Sequence, residues 1–105
     1  MTDFLEVVEG SHTLNPKIFS LARLELLGVL VALGGDGATF TDFKVLDLSD
    51  GALHSNLKAL RVMGYVEEDK VELSEKELTR YKVTRSGAEE FFRAREWLKD
   101  FVGVF

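Results

Sequence analysis

The chain has 105 residues, 46% of them hydrophobic and 30% charged, with a formal net charge of −5. That is one domain's worth of globular composition, and the acidic balance argues against a general binder of polyanions. It contains no cysteine, which excludes disulfides, thiolate metal sites and a cysteine nucleophile and fits a reducing, cytoplasmic setting.

The acidic excess is unevenly placed. Asp3, Glu6 and Glu9 make residues 1–14 acidic, whereas charges cancel between Asn15 and Val66. The segment "MTDFLEVVEG" has no basic flank, and the longest apolar run, Leu26 to Gly35, is far short of the roughly 20 residues needed to cross a bilayer. Neither a signal peptide nor a membrane partner is expected.

In chain order, Asp3 with Glu6 predicts a short capped helix ended by Gly10, with Phe4, Leu5, Val7 and Val8 as its sticky side. Asn15-Pro16 predicts the start of a second helix running through "KIFSLARLELLGVLVAL". That segment is apolar on nearly every side, so it must be covered on more than one face. "GGDGAT" lacks the Gly-Lys-Ser/Thr of a phosphate loop and reads as a helix stop, then a short extended piece at Ala38 to Phe40. Thr41 is a cap candidate for a short helix with Phe43 and Leu46 facing inward.

Ser49 caps the next helix, 49–63, with Asp50 in its first turn. There Leu53, Leu57 and Leu60 form one apolar seam; Gly51, Ser55 and Lys58 lie opposite, with His54 and Arg61 on one shoulder and Ala52 on the other. Gly64 stops it. Two strands follow in 65–84, Tyr65 to Leu73 and Arg80 to Thr84, with a polar tip at Ser74 to Leu78. Thr84 caps a last helix in 85–105, where Phe91, Ala94, Leu98, Phe101 and Phe105 recur at alternating steps of three and four, widened by Phe92 and Val102.

Helix, short strand, helix, tight turn, helix, ribbon, helix is the order of a winged helix-turn-helix. The expected class is α+β, mostly α, in a single domain 1–105 with a two-stranded wing, an N-terminal extension 1–14 and a C-terminal dimerisation helix 85–105. The stretches "LARLELLGVL", "LDLSDGALHSNLKALRVMGYVE" and "YKVTRSG" resemble winged-helix transcriptional regulators of the MarR/ArsR type, from about Ser20 to Phe92.

That resemblance implies a homodimer on double-stranded DNA, with helix 49–63 in the major groove and wing 65–84 on the phosphate backbone. It implies DNA contacts from Gly51, Ala52, His54, Ser55 and Lys58, and wing contacts from Lys70, Lys76, Arg80 and Lys82. The Phe91, Phe92, Ala94, Leu98, Phe101, Val102 and Phe105 stripe would pair two subunits. The chain departs from the family in its wing, where Glu67, Glu68, Asp69, Glu72, Glu75 and Glu77 outnumber the basic residues. Alternation allows those acids to lie on the side away from DNA, where they would suppress non-specific binding.

Blander readings accompany each feature. The leucine seam is core under any hypothesis, His54 fits an ordinary surface histidine, Lys58 and Arg61 fit a solvated face, and the Phe stripe fits intramolecular core. His12 and His54 are a poor ligand set without cysteine, so no metal and no cofactor are expected. No nucleophile–histidine spacing or carboxylate pairing suggests an enzyme. The alternative function is a winged helix used to dock another protein through its acidic wing and Phe-rich tail.

Overall fold

A computed structural model describes residues 3–105. Four α-helices, α1 (Phe4–Gly10), α2 (Leu21–Leu33), α3 (Asp50–Val62) and α4 (Arg85–Gly103), combine with a two-stranded antiparallel ribbon of β1 (Val66–Leu73) and β2 (Lys76–Val83). This is the expected mostly helical α+β winged helix. No helix among the described residues is long and apolar enough to cross a membrane.

Local chemistry sets most boundaries. The Asp3 carboxylate accepts the Leu5 N–H at 3.4 Å and opens α1. The Asn15 side chain accepts the Lys17 N–H at 3.0 Å, and Pro16 follows at the first position, but only one 3-10 turn results, Pro16–Ile18. The expected continuous helix from Lys17 is therefore broken at Phe19. Ser20 is extended and its hydroxyl accepts the Arg23 N–H at 3.1 Å, so α2 begins at Leu21. A serine that caps a helix cannot also lie inside one. The break turns Ile18 fully into the core beside Leu26, Leu27 and Leu30.

After α2 the chain passes Gly37, whose φ of +69° needs no Cβ and whose backbone sits against the Tyr81 carbonyl between the Arg80 and Lys82 stems. Ala38 then bridges Tyr81 with two hydrogen bonds of 2.8 and 2.7 Å, adding a one-residue third strand to the ribbon. The next helix, Phe40–Val45, is 3-10 and takes Thr39 as its cap, two residues before the expected cap at Thr41. Its start is fixed by the Asp42 carboxylate, which accepts the Thr39 N–H at 2.8 Å. Phe43 and Leu46 face inward as expected.

Ser49 accepts the Ala52 N–H at 3.1 Å and opens α3, whose Leu53, Leu57 and Leu60 are buried. At its end the Tyr65 N–H reaches the Leu60 carbonyl and the Gly64 N–H reaches Arg61, the paired bonds of a Schellman stop with Gly64 at φ +83°. The ribbon is longer than expected. Its turn is only Ser74–Glu75, both at positive φ, so β2 begins at Lys76 instead of Arg80. Finally the Thr84 hydroxyl accepts the Gly87 N–H and donates to the Gly64 carbonyl, tying the start of α4 to the end of α3.

Residues 4–10 pack on α4 of the same chain. Val7 is buried, the Trp97 indole N–H donates to the Val7 carbonyl at 2.7 Å, and the Phe4 and Phe101 rings lie 6.2 Å apart.

Candidate nucleic-acid interface

Helix α3 buries one face and leaves the other bare. Gly51, His54, Ser55 and Lys58 are exposed and Ala52 is half-exposed, while nothing approaches the Cβ position of Gly51. The outward stripe Gly51–Ser55–Lys58 ends in Val62, which is 77% exposed, so none of the described residues covers it. The position of α3 is fixed from α2: Arg23 Nε donates to Asn56 Oδ1 at 3.0 Å, and Asn56 Nδ2 donates back to the Ala52 carbonyl at 2.8 Å. His54 is exposed but not free-standing, because its ring lies 4.4 Å from that of Phe40.

Between α3 and the wing runs a groove lined by His54, Leu57, Lys58, Arg61, Glu68 and Tyr81. His54, Lys58 and Arg61 occur at steps of four and three, which stacks three basic or titratable side chains along one wall. Arg61 is the residue that sequence reasoning placed on a shoulder without assigning it a contact; its spacing from His54 and Lys58 was the available signal.

The wing divides its charges by register. Direct cross-strand partners share a face, so Glu68, Lys70, Glu72, Glu77, Thr79 and Tyr81 lie on the side that meets α3. Glu67, Asp69, Lys76, Arg80 and Lys82 lie on the other. The acids are thus not gathered on one side away from α3. Arg80 forms two bonds with Asp69, Nε–Oδ1 at 3.0 Å and Nη2–Oδ2 at 2.6 Å. This hydrogen-bonded fork holds the Asp69 carboxyl below its ordinary pKa and raises that of Arg80. Arg61 pairs with Glu68 at 2.6 Å, and Lys70 donates to the Thr79 hydroxyl at 2.7 Å. Among the described residues Lys58, Lys76 and Lys82 make no direct ion pair. Burial raises the Tyr81 phenol above its ordinary range, and Glu68 adds to the shift.

The Phe stripe of α4 is partly used within the chain. Ala94 is buried in the core, Phe91 packs over Gly28, and Phe101 stacks on Trp97 at 5.0 Å. Heptad spacing cannot distinguish a partner from the chain's own α1 and α2, and these elements cover that part of the stripe. Phe92, Val102 and Phe105 stay exposed at 42%, 64% and 88%, as does Leu5 of α1 at 66%.

The family profile described as a winged helix DNA-binding domain matches residues 22–102, which span α2, α3, the wing and most of α4. Several solved structures are similar, three of them as follows. A transcriptional regulator homologue from Pyrococcus horikoshii OT3 is 29% identical with a TM-score of 0.65, over 97% of this chain and 96% of that one. A PadR-like transcription factor from Bacteroides fragilis is 18% identical with a TM-score of 0.63, over 79% and 87%. A protein from Streptococcus mutans UA159 is 23% identical with a TM-score of 0.59, over 74% and 78%. No curated protein sequence matches significantly.

Proposed function

The chain belongs to the winged helix DNA-binding domain family, and from that premise we propose that it is a sequence-specific transcriptional regulator that binds double-stranded DNA as a homodimer. The observation that carries the reading is the bare outward stripe of α3, Gly51, Ser55 and Lys58, inside the matched segment.

A major groove admits a helix, and small side chains at the first turns let its backbone approach base edges. Ser55 and His54 would bond base edges, Ala52 would meet a thymine methyl, and Lys58 would reach guanine or phosphate. Lys76 and Lys82, free of ion pairs, are the wing's best phosphate contacts; Lys70 and Arg80 must first leave Thr79 and Asp69. Phosphate contacts set position, and base contacts set sequence.

Exposed Phe92, Val102 and Phe105, extended by Leu5, form the surface proposed to pair two copies. Pairing would set two α3 helices about 34 Å apart on a roughly palindromic site. The motifs from Ser20 to Phe92 resemble the MarR/ArsR type, one similar structure is PadR-like, and a winged-helix regulator is common to both. It needs no cofactor, metal or catalytic residue.

A second reading, a winged helix that docks another protein, is favoured by one feature. Glu72 and Glu77 stand directly opposite each other on the α3 side of the wing, where they repel both each other and DNA. Fluorescence anisotropy with random-sequence duplex at several salt concentrations separates the two. A regulator binds with affinity that falls steeply with salt and weakens in Lys58→Ala; no binding at low salt leaves the docking reading.

A further inference from the structure

Two cations, one on the α3 groove and one on the far face of the wing, already carry counter-ions of their own. Arg61, on the groove wall with His54 and Lys58, holds Glu68 at 2.6 Å. Arg80 holds Asp69 through both arms of its fork. Neither pairing is incidental to side-chain wandering. Asp69 and Arg80 are direct cross-strand partners, and Glu68 is fixed opposite Tyr81 on the face that meets α3. Both pairs are also open to solvent, with side-chain exposures of 46% and 37% for Arg61–Glu68 and 27% and 48% for Arg80–Asp69. Among the described residues, Glu68 is the only polar partner of the Arg61 guanidinium and Asp69 the only one of Arg80.

Resting on the DNA-binding reading above, we propose that Glu68 and Asp69 are internal counter-ions that DNA phosphates must displace, so that phosphate contacts alone do not hold this protein on DNA. A phosphate and a carboxylate compete for the same planar donors, and Arg offers bidentate geometry to both. Displacement costs the same on every sequence, because every sequence offers the same phosphates. Binding at physiological salt then depends on the base contacts of α3. The device also explains how six wing acids coexist with a DNA-binding fold: two of them regulate the cations instead of merely diluting them.

Salt dependence reports this directly. A cation that arrives unpaired adds about one to the slope of log affinity against log salt, whereas a released carboxylate recaptures a cation and lowers that gain. The experiment is anisotropy on a random-sequence duplex with the full chain as wild type, Glu68→Gln, Asp69→Asn, Glu68→Gln with Arg61→Gln, and Asp69→Asn with Arg80→Gln. Glu6→Gln, on α1, controls for net charge.

Removing a unit charge about 6 Å from a phosphate in water changes binding about threefold. Glu68→Gln and Asp69→Asn are each expected to bind about threefold tighter or more, with a steeper salt slope. Both gains should vanish when the partner arginine is removed as well, and Glu6→Gln should match wild type. Gains that are absent, that persist without the arginine, or that Glu6→Gln reproduces would overturn the counter-ion assignment while leaving DNA binding intact. If no form of the protein binds any duplex even at low salt, the DNA-binding reading falls and this inference with it.

Discussion

The backbone N–H of Asn15 donates to the buried carboxylate of Glu90 at 3.0 Å, across 75 residues of chain. Glu90 is 2% exposed and also receives Arg93, while the Asn15 side chain donates to the Tyr65 hydroxyl at 3.1 Å. One asparagine thus joins the N-terminal segment, α4 and the start of the wing. Glu90→Ala would leave a half-buried N–H unmet and remove a buried carboxylate, and is expected to cost about 2–3 kcal/mol, lowering the melting temperature by roughly 8 °C or more. Glu90→Gln keeps an acceptor and should cost less. Thermal unfolding followed by circular dichroism checks both; a Glu90→Ala protein as stable as wild type would remove the junction from the account.

Two glycines should answer alanine in opposite ways. A Cβ at Gly87 would run into the Tyr65 carbonyl, a backbone atom that cannot step aside. Gly87→Ala should therefore cost several kcal/mol, on the order of ~3, or prevent folding. Gly51 has open space and sits in the first turn of α3, so Gly51→Ala is expected to add about 0.5 kcal/mol of stability. The same change should weaken binding to a selected operator, because the added methyl faces the groove. Denaturant midpoints and anisotropy measured on one preparation show whether stability and affinity move apart.

Alkaline pH should act through Tyr81. Burial raises its phenol above the ordinary value, so the unfolded chain loses that proton first. The contribution is fully present below about pH 10 and is lost as pH rises through the folded value. Wild type is expected to lose urea resistance above about pH 10 faster than Tyr81→Phe; identical profiles would show that the phenol does not matter. Asp69 works the other way. Its carboxyl is depressed by the Arg80 hydrogen bond, so its contribution is present above about pH 4 and fades as pH falls through the folded value. Asp69→Asn should flatten the acid limb.

The exposed tail makes a prediction about assembly. Val102 and Phe105 contribute little to the protomer's own core, being 64% and 88% exposed. Val102→Glu with Phe105→Glu should leave the melting of the isolated subunit nearly unchanged while converting a dimer to a monomer. Sedimentation velocity reads the state directly; a double variant that still sediments as a dimer places the pairing surface elsewhere.

Much of this molecule was legible in local chemistry. Asp3, Ser49 and Thr84 cap the helices they were expected to cap, and Leu53, Leu57 and Leu60 form the seam their spacing implied. What escaped depended on competition or on distance. Ser20 won the start of α2 from Asn15-Pro16, and Thr39 with Asp42 displaced Thr41, because several adjacent residues had capping chemistry. The Ser74–Glu75 turn carries no glycine to announce positive φ, so the wing looked shorter than it is. That missing register concealed the pairing of Asp69 with Arg80. Nor does a stripe of Phe91, Phe101 and Phe105 say which of them will meet Gly28 or Phe4 of the same chain.

Amide NMR reads out which face of α3 meets DNA. A duplex selected from a random pool would be titrated into isotope-labelled protein and the shifted amides mapped. With α3 in the groove, the largest shifts are expected at Gly51, Ala52, Ser55 and Lys58, with smaller ones along β1 and β2 and none on α1. Shifts confined to α1 and the end of α4, or to the wing alone, would contradict that placement.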